Sequence, residues 1–254
     1  MIRLEAAMHG TEDAVRAATF CRTHDIQHLH AVHSARGEDP AAIVSALRKE
    51  YPALSVTAYL CAKHTIDRSV ENGRTAFLSL FNSVKKVGTK SFVITSGYPR
   101  ADFDAVEALR AFPAHQVMDA VSISCAYNPY FDPARLREEQ ERLRAKLSFP
   151  LVNGIVFQIG MDIEKLKKGV EAVRAIRSDV QLFGMVPAPV ASTITHLREE
   201  APFGIFLPNS YLLREEMAKE MTDSLLHVFH EQGIEPVIYA WELDDIVPVL
   251  PLFE

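Results

Sequence analysis

The segment Gly154–Met185 reads GIVFQIGMDIEKLKKGVEAVRAIRSDVQLFGM, and it decides the fold class. It opens with a short apolar run, Gly154–Ile159, which is followed by Asp162, a residue type suited to cap the start of a helix. A second apolar run, Val180–Met185, closes the segment. Between them the apolar residues recur every three or four positions, at Ile163, Leu166, Val170, Val173 and Ile176. A strand, an amphipathic helix and a second strand in this order predict a βαβ unit of a parallel sheet.

The same alternation of strand and helix patterns runs along the whole chain. Eight candidate strands can be assigned: Ile2–Ala6, Ile26–Val32, Leu54–Cys61, Ser91–Ser96, Val117–Cys125, Gly154–Ile159, Val180–Met185 and Pro236–Trp241. Helical stripes lie between them, for example at Phe77, Leu80, Phe81, Val84 and Val87, and at Met217, Met221, Leu225 and Val228. This pattern predicts one (β/α)8 barrel domain over residues 1–254, with an open doubly wound sheet as the alternative.

Two stretches depart from the regular alternation. Phe203–Leu207 fits either a further strand or a connection. After Trp241 the chain is short and contains two prolines, so the eighth helix should be short or missing.

The composition restricts the class of protein. The chain is 48% hydrophobic and 24% charged, which suits a large core, and it has no uncharged apolar run of about 18 residues. Its N-terminus lacks the apolar stretch of a signal peptide. The three cysteines are widely separated and form no CxxC, so we expect a reducing, cytoplasmic setting. The net charge of −6 argues against a nucleic-acid partner. Assembly into a homo-oligomer is left open.

In such barrels the chemistry lies where strands end and loops begin. Polar and aromatic side chains are predicted at these ends, and together they suit a flat polar ring and proton transfer. They are Glu5, His30, His33, Tyr59, Cys61, Ser96-Gly97-Tyr98, Tyr127, Asn128, Gln158, Pro187 and Trp241-Glu242.

Two of these residues are the main candidates for function. Glu5 lies one residue before the end of an apolar strand, where partial desolvation would raise its pKa and fit it for general acid catalysis. Gln158 interrupts an apolar run, and its amide can both donate and accept at the edge of a heterocycle. The alternatives are a Glu5 paired with a nearby cation and a Gln158 bonded to neighbouring backbone.

The histidines of the second strand give a different hypothesis. His28 and His30 lie on one face of the strand, about two residue spacings apart, which suits a metal. A metal-dependent barrel hydrolase is therefore an alternative function, with Asp244 and Asp245 as acidic residues after the last strand. The later strand ends supply no histidine, which favours histidines that are simply packed at the barrel mouth.

Other charged segments predict no site. Neither GxxxxGK[ST] nor GxGxxG occurs, so no nucleotide-phosphate motif is present. Lys63-His64 and Lys85-Lys86 are predicted to be solvated, and Glu138–Arg144 is predicted to be an exposed helix face.

The strand-end motifs resemble those of methylenetetrahydrofolate reductases, flavin-dependent barrels of one-carbon metabolism. Leu4–Thr11 keeps the Glu and Thr of that family's first strand end. Ala126-Tyr127-Asn128-Pro129 is similar to its Ala-Tyr-Pro, and Leu143-Arg144-Ala145-Lys146 to its Leu-Lys-x-Lys. Val156–Asp162 is similar to its Ile-Thr-Gln-Phe-Phe-Phe-Asp, and Gly184-Met185-Val186-Pro187 to its Gly-Ile-x-Pro.

The chain departs from the family mainly where the family binds flavin. The family's Arg-Gly-Asp is Ser96-Gly97-Tyr98 here, and its glycine-rich turn is His30–Ala35. The histidine of its Pro-His-Leu-Thr-Cys is Ala58. Side chains replace glycines that would let the backbone approach a ligand, so weaker flavin binding is expected. Lys146 argues the other way, since its family counterpart meets a phosphate.

The resemblance implies an oxidoreductase that reduces the methylene group of a tetrahydrofolate. It implies a hydride from FAD or NAD(P)H, no metal, and Glu5 as the catalytic acid. On the substrate side it implies Gln158, Tyr98 and Pro187. On the cofactor side it implies His30, Tyr59, Gly97, Tyr127 and Lys146. A folate- or flavin-binding barrel without turnover is a further alternative.

Overall fold

Within the described part of the chain, eight parallel strands form a closed ring. The computed structural model describes residues 2–33, 39–65, 70–97, 103–112, 121–200 and 204–253. Each strand pairs with the next in chain order, and Arg3–Glu5 of the first strand pairs with Val237–Tyr239 of the last. This closure confirms the predicted (β/α)8 barrel and excludes the open sheet, which would leave two unpaired edges.

The strands are β1 Arg3–Met8, β2 His28–His33, β3 Ser55–Cys61, β4 Ser91–Thr95, β5 Ser122–Tyr127, β6 Val152–Phe157, β7 Gln181–Pro187 and β8 Ile234–Tyr239. The described helices are α1 Thr11–Thr23, α2 Pro40–Glu50, α3 Val70–Lys86, α4 Ala105–Arg110, α5 Pro133–Leu147, α6 Ile163–Ile176, α7 Ala191–Glu200, α8 Asn209–Leu213 and α9 Glu215–Gln232. Short 3₁₀ segments span Ala62–Thr65 and Asp244–Phe253. The second stands where an eighth barrel helix would follow, as predicted.

The element that decides the fold class forms as its sequence predicts. Asp162 caps α6, and its carboxylate accepts a hydrogen bond of 3.0 Å from the backbone N–H of Lys165. The apolar stripe of the helix is buried at Leu166, Val170 and Val173. No helix in the described ranges has the length and apolar character needed to cross a membrane.

Strand bounds differ from the predicted ones at three informative places. β1 continues to Met8 because Ala7 and Met8 still pair with β2, so Glu5 lies inside the strand and not near its end. β5 begins at Ser122 and continues to Tyr127. The start of the predicted strand Val117–Cys125 lies outside the described residues. In the stretch predicted as strand or connection, Phe206 makes one isolated bridge to Gly160, so the described residues 204–207 are a connection.

The core has two parts because successive strand residues point to opposite faces. One face packs against the helices, with Leu4, Phe92, Ile94 and Ile155 fully buried. The other face fills the barrel interior with Val93, Val156, Phe183, Met185 and Val237. At the amino ends of the strands, Arg3 lies over the Phe183 ring, 5.1 Å from its centroid, and pairs with Glu235 at 2.6 Å. These contacts fill the amino-terminal end of the barrel interior.

Candidate functional site

A cleft of about 550 Å³ opens at the carboxyl ends of the strands. Its floor is formed by the inward-facing strand residues Glu5, Tyr59, Val156 and Met185 together with Gln158, which follows β6. One wall is formed by α5 and the residues that follow β4 and β5. A mostly apolar floor with a few convergent polar groups is the usual form of a small-molecule site.

Glu5 lies at the floor of this cleft and is only 5% exposed. Burial raises the pKa of its carboxyl to about 7, and the nearby Tyr59 hydroxyl offsets part of that rise. The two groups are close, yet neither Glu5 Oε2 nor the Tyr59 hydroxyl has a regular hydrogen bond to a described residue. Glu5 is thus partly protonated at neutral pH, and its carboxyl can donate or accept a proton.

His30 is packed below the cleft and does not line it. It is 2% exposed, and its ring contacts Tyr59 and Phe183 with centroid distances of 5.8 and 6.2 Å. Burial lowers the pKa of His30 to about 3, assisted by the charge of Arg3, so the ring is neutral. Neither ring nitrogen has a hydrogen-bond partner among the described residues. His30 occupies the position on β2 that pairs with Glu5 on β1, so this predicted cofactor-binding residue lies outside the cleft lining.

The two histidines of the metal hypothesis do not form a ligand set. His28 Nδ1 lies 3.3 Å from Arg3 Nη1, so a cation already occupies the place next to this nitrogen. In the described ranges no three His, Cys, Asp or Glu residues are grouped so that they can hold a metal ion. The geometry therefore gives the hydrolase alternative no support.

Gln158 lies directly after β6 and lines the cleft. Its backbone N–H donates to the Tyr127 carbonyl at 3.0 Å, which fixes the main chain. Its side-chain Oε1 accepts from the backbone N–H of Ile159 at 3.2 Å. Beside it, Asn128 is 7% exposed and also lines the cleft. In the sequence Asn128 is only one of several strand-end residues, and the signal for it is its insertion into the family's Ala-Tyr-Pro motif.

Three charged side chains of α5 form a polar wall of the cleft: Glu139, Arg142 and Lys146. Lys146 Nζ donates to the Ala126 carbonyl at 2.7 Å and to Glu139 at 3.2 Å. Arg142 donates to Ser96 Oγ at 2.6 Å and pairs with both Asp104 and Glu139.

The prediction of an exposed helix face at Glu138–Arg144 is therefore wrong in part. Glu138, Glu141 and Arg144 are exposed, but Glu139 and Leu143 are buried and Arg142 is half-buried. Positions three and four apart share one side of a helix, and on α5 that side faces the barrel.

The remaining predicted site residues lie at different depths. Tyr127 lines the cleft and is almost fully buried. Gly97 also lines it with a φ of +78°, and a Cβ there would lie 2.7 Å from Cys61 Sγ, so glycine is required. Pro187 is buried, does not line the cleft, and accepts a hydrogen bond of 2.9 Å from the Tyr211 hydroxyl. Tyr98 lies outside the described residues.

The described residues do not fit the diphosphate of a flavin dinucleotide. Each described cation that lines the cleft is already ion-paired: Arg142 with Asp104, Lys146 with Glu139, and Arg135 with Asp132 at 3.9 Å. The exposed Glu138 also lines the cleft and adds a further carboxylate beside these pairs. A diphosphate at Arg142 or Lys146 would have to break a largely buried pair or lie against carboxylates, and both cost free energy, whereas the exposed pair of Arg135 is weak.

Comparison with known proteins gives a structural likeness and no sequence family. No family model matches the chain. No curated protein matches it either. Among solved structures, an uncharacterized protein from Clostridium thermocellum, which binds two copies of 5-methyl-5,6,7,8-tetrahydrofolic acid, matches with a TM-score of 0.68 at 13% identity. That match covers 100% of this chain and 93% of that chain. It shows the same barrel fold.

Two other solved structures match less well. A monomeric dihydrodipicolinate synthase variant has a TM-score of 0.49 at 14% identity, covering 91% of this chain and 77% of that one. The aldolase QR15 has a TM-score of 0.47 at 10% identity, covering 89% and 96%.

The burial of Glu5 predicts a stability that depends on pH. The native pKa of about 7 lies above the ordinary 4.5, so the native state binds the extra proton between these values. Below pH 4.5 the raised pKa of Glu5 does not change the free energy of unfolding. Between pH 4.5 and about pH 7 it lowers the free energy of unfolding progressively, by about 3 kcal/mol in all. We expect Glu5→Gln to be more stable than wild type at pH 8, and the gain to disappear towards pH 4.5.

Urea unfolding of both proteins across this pH range measures the effect. The exposed Glu12 of α1 provides a control, Glu12→Gln, for which no such pH-dependent gain is expected. A gain of equal size at pH 5 and pH 8 would contradict a protonated Glu5.

Proposed function

We propose that the cleft binds a reduced folate, with Glu5 as proton donor and Gln158 at the edge of the pterin ring. The observation that carries this proposal is a buried carboxylic acid with a pKa of about 7 on the same cleft floor as a carboxamide. The motif resemblance to methylenetetrahydrofolate reductases supports it. The solved barrel from Clostridium thermocellum, which binds 5-methyl-5,6,7,8-tetrahydrofolic acid, is consistent with it.

The shape and polarity of the cleft suit a ligand of this class. Its volume of about 550 Å³ falls within the range of small-molecule pockets. Val156 and Met185 offer apolar surface to a flat ring, and Glu5 and Gln158 offer polar groups to its edge. Phe131 and the exposed Arg135 also line the cleft, and the aminobenzoyl-glutamate tail would lie along them.

The reaction that fits these groups is reduction of the methylene bridge of methylenetetrahydrofolate. The bond between the methylene carbon and one of its two nitrogens breaks, and that nitrogen takes a proton. A hydride then adds to the carbon and makes it a methyl group. Glu5 supplies the proton, because its carboxyl is partly protonated at neutral pH. The hydride comes from NAD(P)H acting as a diffusing co-substrate.

A second candidate is folate binding without turnover. It is favoured by the ion pairing of the described cations that line the cleft, Arg142, Lys146 and Arg135. Each of them already has a carboxylate partner, so a phosphate-bearing hydride donor would have to compete for it. The two candidates share the binding step and differ in whether NAD(P)H is oxidised.

Loss of the Gln158 amide should weaken folate binding. Gln158→Leu keeps the volume but leaves a polar ring edge unpaired, which costs about 1–3 kcal/mol. Isothermal titration with 5-methyltetrahydrofolate measures this change. Gln181→Leu is the matched control, because Gln181 lies at the opposite end of the barrel and bonds to Glu235. Equal affinity of Gln158→Leu and wild type would show that Gln158 serves the fold alone.

Loss of the Glu5 proton should reduce turnover. Glu5→Gln keeps the shape of the side chain but cannot donate a proton, so folate-dependent NAD(P)H oxidation should fall about 10²-fold or more. Folate affinity should change much less. Near wild-type turnover in this variant would exclude Glu5 as the acid. If the wild-type protein binds folate but oxidises no NAD(P)H, the second candidate is favoured.

Flavin should bind weakly. The paired charges of the polar wall work against a dinucleotide. So do the side chains that replace the family's glycines in the sequence His30–Ala35, of which His30–His33 lies in β2. We expect substoichiometric flavin after purification and a weak, salt-sensitive titration followed by flavin fluorescence. Tight binding at a one-to-one ratio would show that residues other than the described cations hold the diphosphate.

A further inference from the structure

A short connection after α7 covers one side of the cleft floor. Residues 204–207, here called the strap, run beside the residues that follow β6 and are hydrogen-bonded to them. The Phe206 N–H donates to the Ile159 carbonyl at 3.1 Å, and the Met161 N–H donates to the Phe206 carbonyl at 3.2 Å. The strap is therefore held on the residues that immediately follow Gln158.

Asn128 ties the first residue of the strap to β5. Its Nδ2 donates to the Gly204 carbonyl at 2.8 Å, and its Oδ1 accepts from the Tyr130 N–H at 3.1 Å. The opposite amide orientation would place its NH₂ against an N–H and its oxygen against a carbonyl. Both ends of this buried amide are thus satisfied in one orientation only.

Gly204 lets the strap lie close to Gln158, because it has no side chain that would fill the space between them. Its φ is +86°, a conformation that other residues rarely adopt. A Cβ at this position would lie 3.2 Å from Asn128 Nδ2 and 3.8 Å from Gln158 Nε2. Gly204 therefore lies next to the Gln158 amide, and it has no side chain that could cover the amide nitrogen.

These contacts determine which atom of the Gln158 amide is available to a ligand. Its Oε1 accepts from the Ile159 N–H, so Nε2 is the amide atom that remains for a ligand in the cleft. The Ile159 carbonyl also accepts a hydrogen bond from the Phe206 N–H of the strap. The residue whose N–H binds Oε1 is therefore itself held by the strap. The cleft floor thus offers a hydrogen-bond donor at this point.

We propose that Asn128 and the strap are positioning elements that fix Gln158 as a donor and thereby make the cleft selective for a ring that carries a carbonyl oxygen. For a pterin, the 4-oxo form would be bound in preference to its 4-amino counterpart. An amino group would face Nε2 donor to donor and leave both groups without a partner, a loss that corresponds to about 10-fold or more in affinity. This inference rests on the proposed function of the same cleft.

The experiment is a comparison of dissociation constants for tetrahydrofolate and its 4-amino analogue, tetrahydroaminopterin, under anaerobic conditions. Wild type should prefer the 4-oxo ligand by about 10-fold or more. Gln158→Glu presents an acceptor in place of the donor, so its preference should be reversed. Asn128→Ala releases the strap, so the ratio of the two constants should approach one while the far-UV circular dichroism stays unchanged.

Two further variants separate positioning from general damage. Asn128→Asp keeps the acceptor for the Tyr130 N–H and loses the bond to Gly204, so it tests the strap even if Asn128→Ala folds poorly. Asn153→Ala is the matched control, because Asn153 also accepts a backbone N–H, that of Ile123 at 2.9 Å, but at the other end of β6. It should leave the ratio at the wild-type value.

The outcomes distinguish the two levels of the proposal. Tight binding of both ligands with equal constants would overturn the selectivity and leave folate binding intact. A wild-type ratio in Asn128→Asp and Asn128→Ala would overturn the role of the strap. Binding of neither ligand to wild-type protein would overturn the proposed function together with this inference.

Discussion

Closure of the barrel between β1 and β8 is the constraint on which the rest of the structure depends. It places neighbours on both sides of Glu5, His30 on β2 and Tyr239 on β8, at the paired positions of the sheet. An unpaired edge would let water solvate the carboxylate. The closed ring removes that water, and the pKa of Glu5 rises to about 7 in consequence. The acid strength of the candidate catalytic group is therefore a property of the fold and needs no special charged neighbour.

This arrangement costs stability. Barrel interiors are usually filled by branched aliphatic side chains. Here the layer around Glu5 contains His30, Thr57 and Tyr59, and several of their polar atoms have no hydrogen-bond partner among the described residues. Unsatisfied buried groups of this kind each cost free energy, and a chain selected for stability alone would replace them. Their concentration below the cleft is the pattern expected where a ligand or a proton transfer imposes the composition.

Much of the fold could be read from the sequence because its signals are local. The βαβ pattern of Gly154–Met185, the cap at Asp162 and the shortened last helix depend on near neighbours, and each was confirmed. The depth of Glu5 could not be read in this way, because β1 ends where its pairing with β2 ends, and pairing is a tertiary property. The same reason explains the error on α5. Glu139 and Arg142 look like solvated charges in a window of sequence, but they pair with each other and with Lys146 and Asp104 against the ends of β4 and β5. The bond between Asn128 and Gly204 joins positions 76 residues apart, and no periodicity indicates it.

The internal pairing of charges also bears on which ligands the cleft can accept. Arg142 and Lys146 are neutralised by Asp104 and Glu139, so the polar wall exerts little net field on the cleft. Glu5 would add a full negative charge at the floor if it were ionised, and a ligand with glutamate carboxylates would be repelled. Because burial keeps Glu5 partly protonated, the floor carries only part of that negative charge at neutral pH. On the proposed function, binding of an anionic folate and protonation of Glu5 therefore favour each other. The burial that makes Glu5 a usable acid thus also lowers the electrostatic cost of bringing the ligand to it.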